Sequence, residues 1–350
     1  MPADRQVRKM AVRIQDIAEQ AGVSRGTVDR ALHKRGRIRP EVADRIWAIA
    51  RELGYEPRES SEKGRKHLKI GVVTQLAGSS FMIRINQGIE DAARLLGQQG
   101  VTLLCRNLET IDEEQQLEVI DQLVDEGIDG LALMPIQCES IRARLSRLSK
   151  EQGIPVVTFN SDIVGAGRSC FVGLDNKQSG RAAAGLMGML TGGRGKILAV
   201  TGYFTNSVNS LRIEGFIQEL KASWPETELL GVQSSFDDAS EVEKIVTETM
   251  ERTPDLAGIF VASAGQEGVR NAFEKLEITA TRRPHVIVYD LTRENVEALM
   301  EGTVDFLIDQ EAYVQGNYPP KLLYDILVRG KEPDQEYLFT DINIKTKYNL

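Results

Sequence analysis

From Leu68 onward, short runs rich in Val, Ile, Leu and Phe alternate with amphipathic segments of helical spacing, and this alternation narrows the possible folds more than anything else in the chain. The apolar runs are LKIGVVT (68–74), VTLLC (101–105), GLALMP (130–135), PVVTFN (155–160), KILAVTG (196–202), LLGVQSS (229–235), GIFVAS (258–263), HVIVYD (285–290) and DFLIDQ (305–310). Helical patterns fill the gaps, for instance 83–96, 113–125, 176–190 and 240–251. Strands that are apolar almost throughout, each followed by a helix, belong to parallel sheets covered on both faces. Roughly a dozen strands suit two sheets better than one. The spacing therefore predicts two Rossmann-like lobes over residues 68–350. The chain changes lobe near 160–175 and crosses again near 290 and 310.

Such a body can house an enzyme, but the usual signatures are missing. TQLAGSSF follows the first strand where a dinucleotide site would have G-x-G-x-x-G, and GGRGK at 192–196 lacks the spacing and the Ser/Thr of a phosphate-binding loop. There is no G-x-S-x-G elbow, and no His stands near a nucleophile. A binding cleft fits better, because ligands of α/β sheets sit outside the carboxyl ends of the strands. Ser79, Phe81, Asn160, Asp290 and Gln310 stand at such ends, and Arg212 opens RIEGF after the loop at 203–210. Carboxylate, carboxamide and guanidinium groups around an aromatic face suit a polyhydroxylated ligand, whose hydroxyls each donate and accept.

Ahead of the body, the stretch from Val12 to Leu32 predicts two short helices. Ile14, Ile17, Ala18 and Ala21 share one face, Gly22 supplies the turn, and Ser24 is a good N-cap for the second helix. That helix turns Val28, Ala31 and Leu32 inward and leaves Arg25, Gly26, Asp29 and Arg30 available. A third helix opens at Pro40, carries Val42, Ile46, Ile49 and Leu53 inward, and stops at Gly54. Three short helices around one small core make a helix-turn-helix domain at 12–57, followed by a polar linker at 58–67.

Charge divides the chain in the same place. The overall balance is −8, yet residues 1–69 hold 17 Lys and Arg against 10 Asp and Glu, leaving 26 against 41 for the rest. A basic head on an acidic body is the asymmetry expected when only the head meets phosphate. Cys105, Cys138 and Cys170 lie in or beside apolar runs with no CxxC spacing and read as small buried thiols. With His33, His67 and His285 scattered, no metal site or cofactor is predicted. No apolar run is long enough to cross a membrane, and MPADRQVRKMAVR lacks a signal-peptide core, so a cytoplasmic protein is the expectation.

The run IQDIAEQAGVSRGTVDRAL, followed by IRPEVADRIWAIARELGYEP, resembles the head of the lactose-repressor (LacI/GalR) family of bacterial transcription regulators. The resemblance implies that Arg25 and Gly26 face base edges in the major groove and that Arg30 supports base or phosphate contact. Ser24 and Thr27 would touch phosphate, with Ile14 placed among the DNA-facing positions. Asp29 departs from the Ser common in relatives, and the Ala-Arg-x-Leu hinge motif is absent from 56–69. The body is similar to the ribose-binding type of periplasmic binding fold, in FVGLDNKQSGRAAAGLM (171–187), SLRIEGF (210–216), VIVYDLT (286–292) and IDQEAYVQGNYPPKLLYDIL (308–327). That likeness implies that Phe81 stacks on a sugar while Ser79, Asn160, Arg212, Asp290 and Gln310 hydrogen-bond it. Asn160–Ser161 and Ala264–Gly265 depart from the Asp-Arg and Asn-Asp of relatives, which points away from ribose itself. The expectation is a homodimeric regulator, a repressor by type, on a pseudo-palindromic operator and controlled by a small sugar or polyol. The alternatives are a cytosolic sugar-binding protein or a sugar-processing enzyme with a regulatory helical head.

Overall fold

The computed structural model describes residues 14–32, 38–53, 55, 67–279 and 282–350. It divides into two compact units, Met1–Lys66 and His67–Leu350. The expected linker, apart from His67, and the stop at Gly54 lie outside the described residues.

In the first unit α1 (Ile14–Ala21), α2 (Arg25–Leu32) and α3 (Pro40–Glu52) enclose one small core. Ile17, Ala18 and Ala21 meet Val28, Ala31 and Leu32 and close against Ile46 and Ala50. Gly22 makes the turn at φ +65°, in the left-handed region that a side chain resists. Val23 then plugs the helix pair, its N–H bonded to the Ala18 carbonyl at 3.1 Å. Pro40 fills the first position of α3, where no N–H is needed.

The second unit holds two six-stranded sheets. The first takes β1 (Leu68–Thr74), β2 (Val101–Asn107), β3 (Gly130–Leu133), β4 (Val156–Phe159), β5 (Cys170–Leu174) and β11 (Tyr337–Thr340), in the order β11-β5-β4-β3-β1-β2. All its pairings are parallel. The second takes β6 (Gly195–Thr201), β7 (Thr227–Ser234), β8 (Leu256–Val261), β9 (His285–Tyr289), β10 (Phe306–Asp309) and β12 (Asn343–Lys345), in the order β12-β10-β9-β8-β6-β7, antiparallel only where β12 joins β10. Central strands β3, β4 and β5 are buried along their whole length, whereas edge strand β7 alternates. That contrast is what burial on both faces produces at the centre and not at the edge.

On the first sheet α4 (Ser80–Gly97) and α12 (Ala312–Arg329) cover one face, and α5 (Glu113–Asp125) and α6 (Glu139–Glu151) the other. The second sheet packs α7 (Asn176–Thr191) and α8 (Ser207–Ser223) on one face, with α9 (Ala239–Arg252), α10 (Glu267–Lys275) and α11 (Arg293–Glu301) opposite. Lobe changes fall after Leu174, at Gln310–Ala312 and between Thr340 and Asn343. The crossing expected near 290 does not occur, because β9 and β10 are neighbours in one sheet. Cys105 corrects another expectation: it is exposed on the edge strand β2, while Cys138 is half-buried and Cys170 buried.

Asp305 anchors the second sheet. Its carboxylate takes both Arg283 Nη atoms at 2.7 and 2.8 Å and the Val286 N–H at 2.7 Å. Burial raises its pKa, but these donors and the guanidinium charge outweigh burial and hold it below the usual carboxylate value. A folded-state pKa below the unfolded one contributes stability that is present above the unfolded value and lost as pH falls through the folded value. Asp305→Asn is expected to lower the stability by roughly 2–3 kcal/mol at neutral pH. The gap to the parent should narrow in acid, as urea unfolding of both proteins at the two pH values will show.

Candidate functional site

In the head, Ser24, Arg25 and Gly26 are exposed at the start of α2 and Thr27 is half-buried. Ser24 Oγ accepts the Thr27 N–H at 3.2 Å and lies 2.9 Å from Thr27 Oγ1, so the two hydroxyls are held together beside the helix N-terminus. The first N–H groups of a helix favour an anion, and a guanidinium placed there gains from an approaching phosphate what it loses to the dipole. Val28 on the opposite face is fully buried, which fixes the rotation of α2. Arg30 lies within α2, but its side chain is outside the described residues. Ile14 opens α1, half-buried and packed against the core of the head.

In the body, four of the six expected ligand-binding residues join one hydrogen-bonded network. Asn160 and Asp290 directly follow β4 and β9 with φ of +62° and +76°, and Gln310 follows β10. Asp290 takes this strained backbone because its own N–H reaches the Ile308 carbonyl at 3.0 Å while Asn295 Nδ2 donates to its carbonyl at 2.9 Å. Arg212, on α8 and 2% exposed, donates from Nε to Asn176 Oδ1 at 2.9 Å and from Nη1 to the Ala262 carbonyl at 2.9 Å. Its Nη2 donates to Gln310 Oε1 at 3.1 Å. Gln310 Nε2 in turn donates to Asp290 Oδ1.

Beneath the guanidinium lies the Tyr289 ring, 3.9 Å from Arg212 Cζ to its centroid. Burial pushes the Tyr289 phenol up to about 12, and its hydroxyl lies 2.8 Å from Ser179 Oγ. Burial also pushes the Asp290 carboxyl up, while the Arg212 charge and the Gln310 amide pull it down. Gln315 on α12 completes the network across the lobes, accepting from Asn160 Nδ2 at 3.0 Å and donating to the Gln310 carbonyl at 2.6 Å. Asn176, Gln315 and Tyr289 are thus members of the network, and candidate site residues, that the strand-end reading missed. Gln315 had a readable signal, a carboxamide on the buried face of α12 among Ala312, Gly316 and Pro319.

Ser79 and Phe81 stand apart from these bonds. Ser79 precedes α4 without a side-chain capping bond. Phe81 lines a small cavity of about 70 Å³ with Leu291, Thr292, Asp309 and Glu311, the residues flanking Asp290 and Gln310. A larger cavity, about 480 Å³, opens between the lobes beside Ser161, the neighbour of Asn160. Among the described residues no His, Cys, Asp and Glu cluster is arranged to hold a metal. No described helix is long and apolar enough to cross a membrane.

Residues 70–332 match the family described as "Periplasmic binding protein domain", and residues 13–58 match "Bacterial regulatory proteins, lacI family". Among curated relatives, "HTH-type transcriptional repressor PurR" of Klebsiella pneumoniae (strain 342) is 26% identical over 210 residues, 59% of each chain. "Catabolite control protein A" of Staphylococcus epidermidis is 23% identical over 155 residues, 44% of this chain and 45% of its own. This chain thus spans about three-fifths of the first of these relatives and less than half of the second. In fold it is similar to the sugar-binding protein of a sugar ABC transporter from Bacillus halodurans, with a TM-score of 0.73 at 26% identity, covering 80% of this chain and 98% of that one. A solute-binding protein from Burkholderia graminis, solved with D-arabinose, gives 0.74 at 24% identity over 82% and 97%. The chain belongs to the periplasmic binding protein domain family, and it carries a lacI-family bacterial regulatory segment ahead of that domain.

Proposed function

We propose that this chain is a sequence-specific DNA-binding transcription regulator, a repressor by type, whose grip on an operator is set by a small sugar or polyol in the cleft of its body. One observation carries the reading: a single chain joins a helix-turn-helix with an exposed arginine at the head of its second helix to a buried Arg–Asp–Gln–Asn network at strand ends. The repressor relatives support the first half and the sugar-binding neighbour from Bacillus halodurans the second. The protein acts as a homodimer in the cytoplasm, its two heads reading the halves of a pseudo-palindrome about one helical turn apart. The sugar shifts the equilibrium only through its different affinities for two arrangements of the lobes.

Selection from random duplex DNA tests the DNA half. It should enrich a pseudo-palindromic sequence, with an affinity that falls steeply with salt as phosphate contacts displace counterions. Arg25→Ala should weaken binding to that sequence by about 1–3 kcal/mol and relax its specificity at one base pair of each half-site. A flat salt dependence, or undiminished affinity in the variant, would overturn the assignment. For the cleft, a thermal-shift panel of neutral sugars and polyols should raise the melting temperature of the parent with at least one compound.

A further inference from the structure

We propose that Gln310 is an internal stand-in for ligand, its carboxamide seated between Arg212 and Asp290 where a hydroxyl of the effector must enter. This role rests on the sugar reading above and reverses the one that the resemblance implies. Gln310 becomes a competitor that the sugar displaces, not a contact that holds it.

A guanidinium only donates and an ionised carboxylate only accepts, so a group bridging the two must accept on one side and donate on the other. The Gln310 carboxamide does both: Oε1 accepts from Arg212 Nη2 at 3.1 Å, and Nε2 donates to Asp290 Oδ1. Arg212 spends Nε and Nη1 on Asn176 and the Ala262 carbonyl. Among the described residues Gln310 Nε2 is the one donor to the Asp290 carboxylate. Arg212, Asp290 and Gln310 are 2%, 8% and 3% exposed, so the charged pair is closed off while the amide is seated. A sugar hydroxyl also accepts and donates through one oxygen. It can bridge the pair only where the carboxamide is not.

The seat is held from the backbone. Gln310 follows β10 at a crossing between the lobes, and its carbonyl accepts Gln315 Nε2 at 2.6 Å and Thr340 Oγ1 at 3.1 Å. Gln315 lies on α12 against the first sheet, and its Oε1 accepts Asn160 Nδ2 at 3.0 Å from beyond the end of β4. Thr340 ends β11, where the chain crosses to β12 in the second sheet. The side chain that must leave is therefore carried by segments the two lobes share, and its departure loosens them as ligand enters. If the seat is open for about a tenth of the time, ligand affinity falls about tenfold, because only the open fraction binds. In exchange, the buried guanidinium and carboxylate never stand unpaired in the empty protein.

Two titrations of the full chain carrying Gln310→Ala test this. Alanine removes the carboxamide and leaves its room, and acetamide is the lost group as a free molecule. Acetamide should raise the melting temperature of Gln310→Ala and not that of the parent, whereas N,N-dimethylacetamide, which accepts but cannot donate, should raise neither. In calorimetry, a neutral sugar or polyol that stabilises the parent should bind Gln310→Ala about tenfold more tightly. Gln315→Leu removes a donor to the Gln310 carbonyl and touches neither Arg212 nor Asp290. It should shift affinity the same way by less, and it carries this arm if Gln310→Ala does not fold. Equal or weaker sugar binding by the variants would make Gln310 an ordinary ligand contact and overturn the proposal. An acetamide response no greater than the parent's would overturn it too. If acetamide stabilises Gln310→Ala but no sugar or polyol binds either protein, the sugar reading falls and the displaceable carboxamide stands, for a ligand of another class.

Discussion

Arg212→Met is expected to abolish sugar-induced stabilisation and to lower the stability of the unliganded protein by roughly 3–5 kcal/mol. Methionine keeps an apolar stem over Tyr289 but leaves three acceptors, Asn176 Oδ1, the Ala262 carbonyl and Gln310 Oε1, without this donor. It also leaves the Asp290 carboxyl buried without the charge that pulls its pKa down. The sign of the pH dependence follows. Burial already holds the folded-state pKa of Asp290 above its unfolded value, so stability falls as pH rises through that interval; losing Arg212 lifts the folded pKa further and widens the interval. The deficit of Arg212→Met should therefore be smallest in acid, where Asp290 is protonated in both states, and grow as pH rises. Adding Asp290→Asn should recover part of the loss, giving a non-additive double-mutant cycle by urea unfolding. An additive cycle, or a single variant that keeps the full sugar response, would show that the pair does not work as a unit.

Strand ends are legible in the sequence where an apolar run stops at a polar residue, as at Asn160, Asp290 and Gln310, which the structure joins in one network. Arg212 sits on a helix, yet the RIEGF segment marked it. Gln315 escaped because its partner Asn160 lies 155 positions away, and only the folded chain shows that α12 returns to the first lobe to bring them together. The same return explains the misplaced crossing. Strands β11 and β12 are four and three residues long, too short for any periodicity, and are defined by pairing with β5 in one sheet and β10 in the other. Cys105 reads as buried because it closes the largely apolar run VTLLC, but β2 is an edge strand and its pattern cannot say which sheet neighbour is missing. In the head the pattern was sufficient: α2 does bury Val28, Ala31 and Leu32, as the periodicity of a lone amphipathic helix requires.

Helix contacts at glycine connect the fold to the site, and Gly180→Ala should disable the site by moving a backbone rather than by removing a functional group. A Cβ at Gly180 on α7 would lie 2.0 Å from the carbonyl oxygen and 3.0 Å from the Cα of Arg212 on α8. The contact is reciprocal, for a Cβ at Gly215 would lie 2.0 Å from the Lys177 carbonyl oxygen. Because backbone blocks the added methyl, α7 and α8 must separate, and Arg212 moves with α8 away from Asn176, Ala262 and Gln310. Alanine gains about 1 kcal/mol in helix propensity over glycine, against overpacking that typically costs 1–3 kcal/mol and more where backbone must shift. A net loss of roughly 2 kcal/mol is the expected result on that balance. Gly268→Ala supplies the comparison: its Cβ would lie 2.2 Å from the Ala239 carbonyl oxygen, so α10 is forced from α9 in the same lobe but away from Arg212. Both variants should lose comparable stability by urea unfolding, and only Gly180→Ala should also lose sugar affinity in calorimetry at a temperature where both are folded. Equal losses of affinity would mean that loosening the lobe is enough, and that the Gly180 contact does not set the position of Arg212.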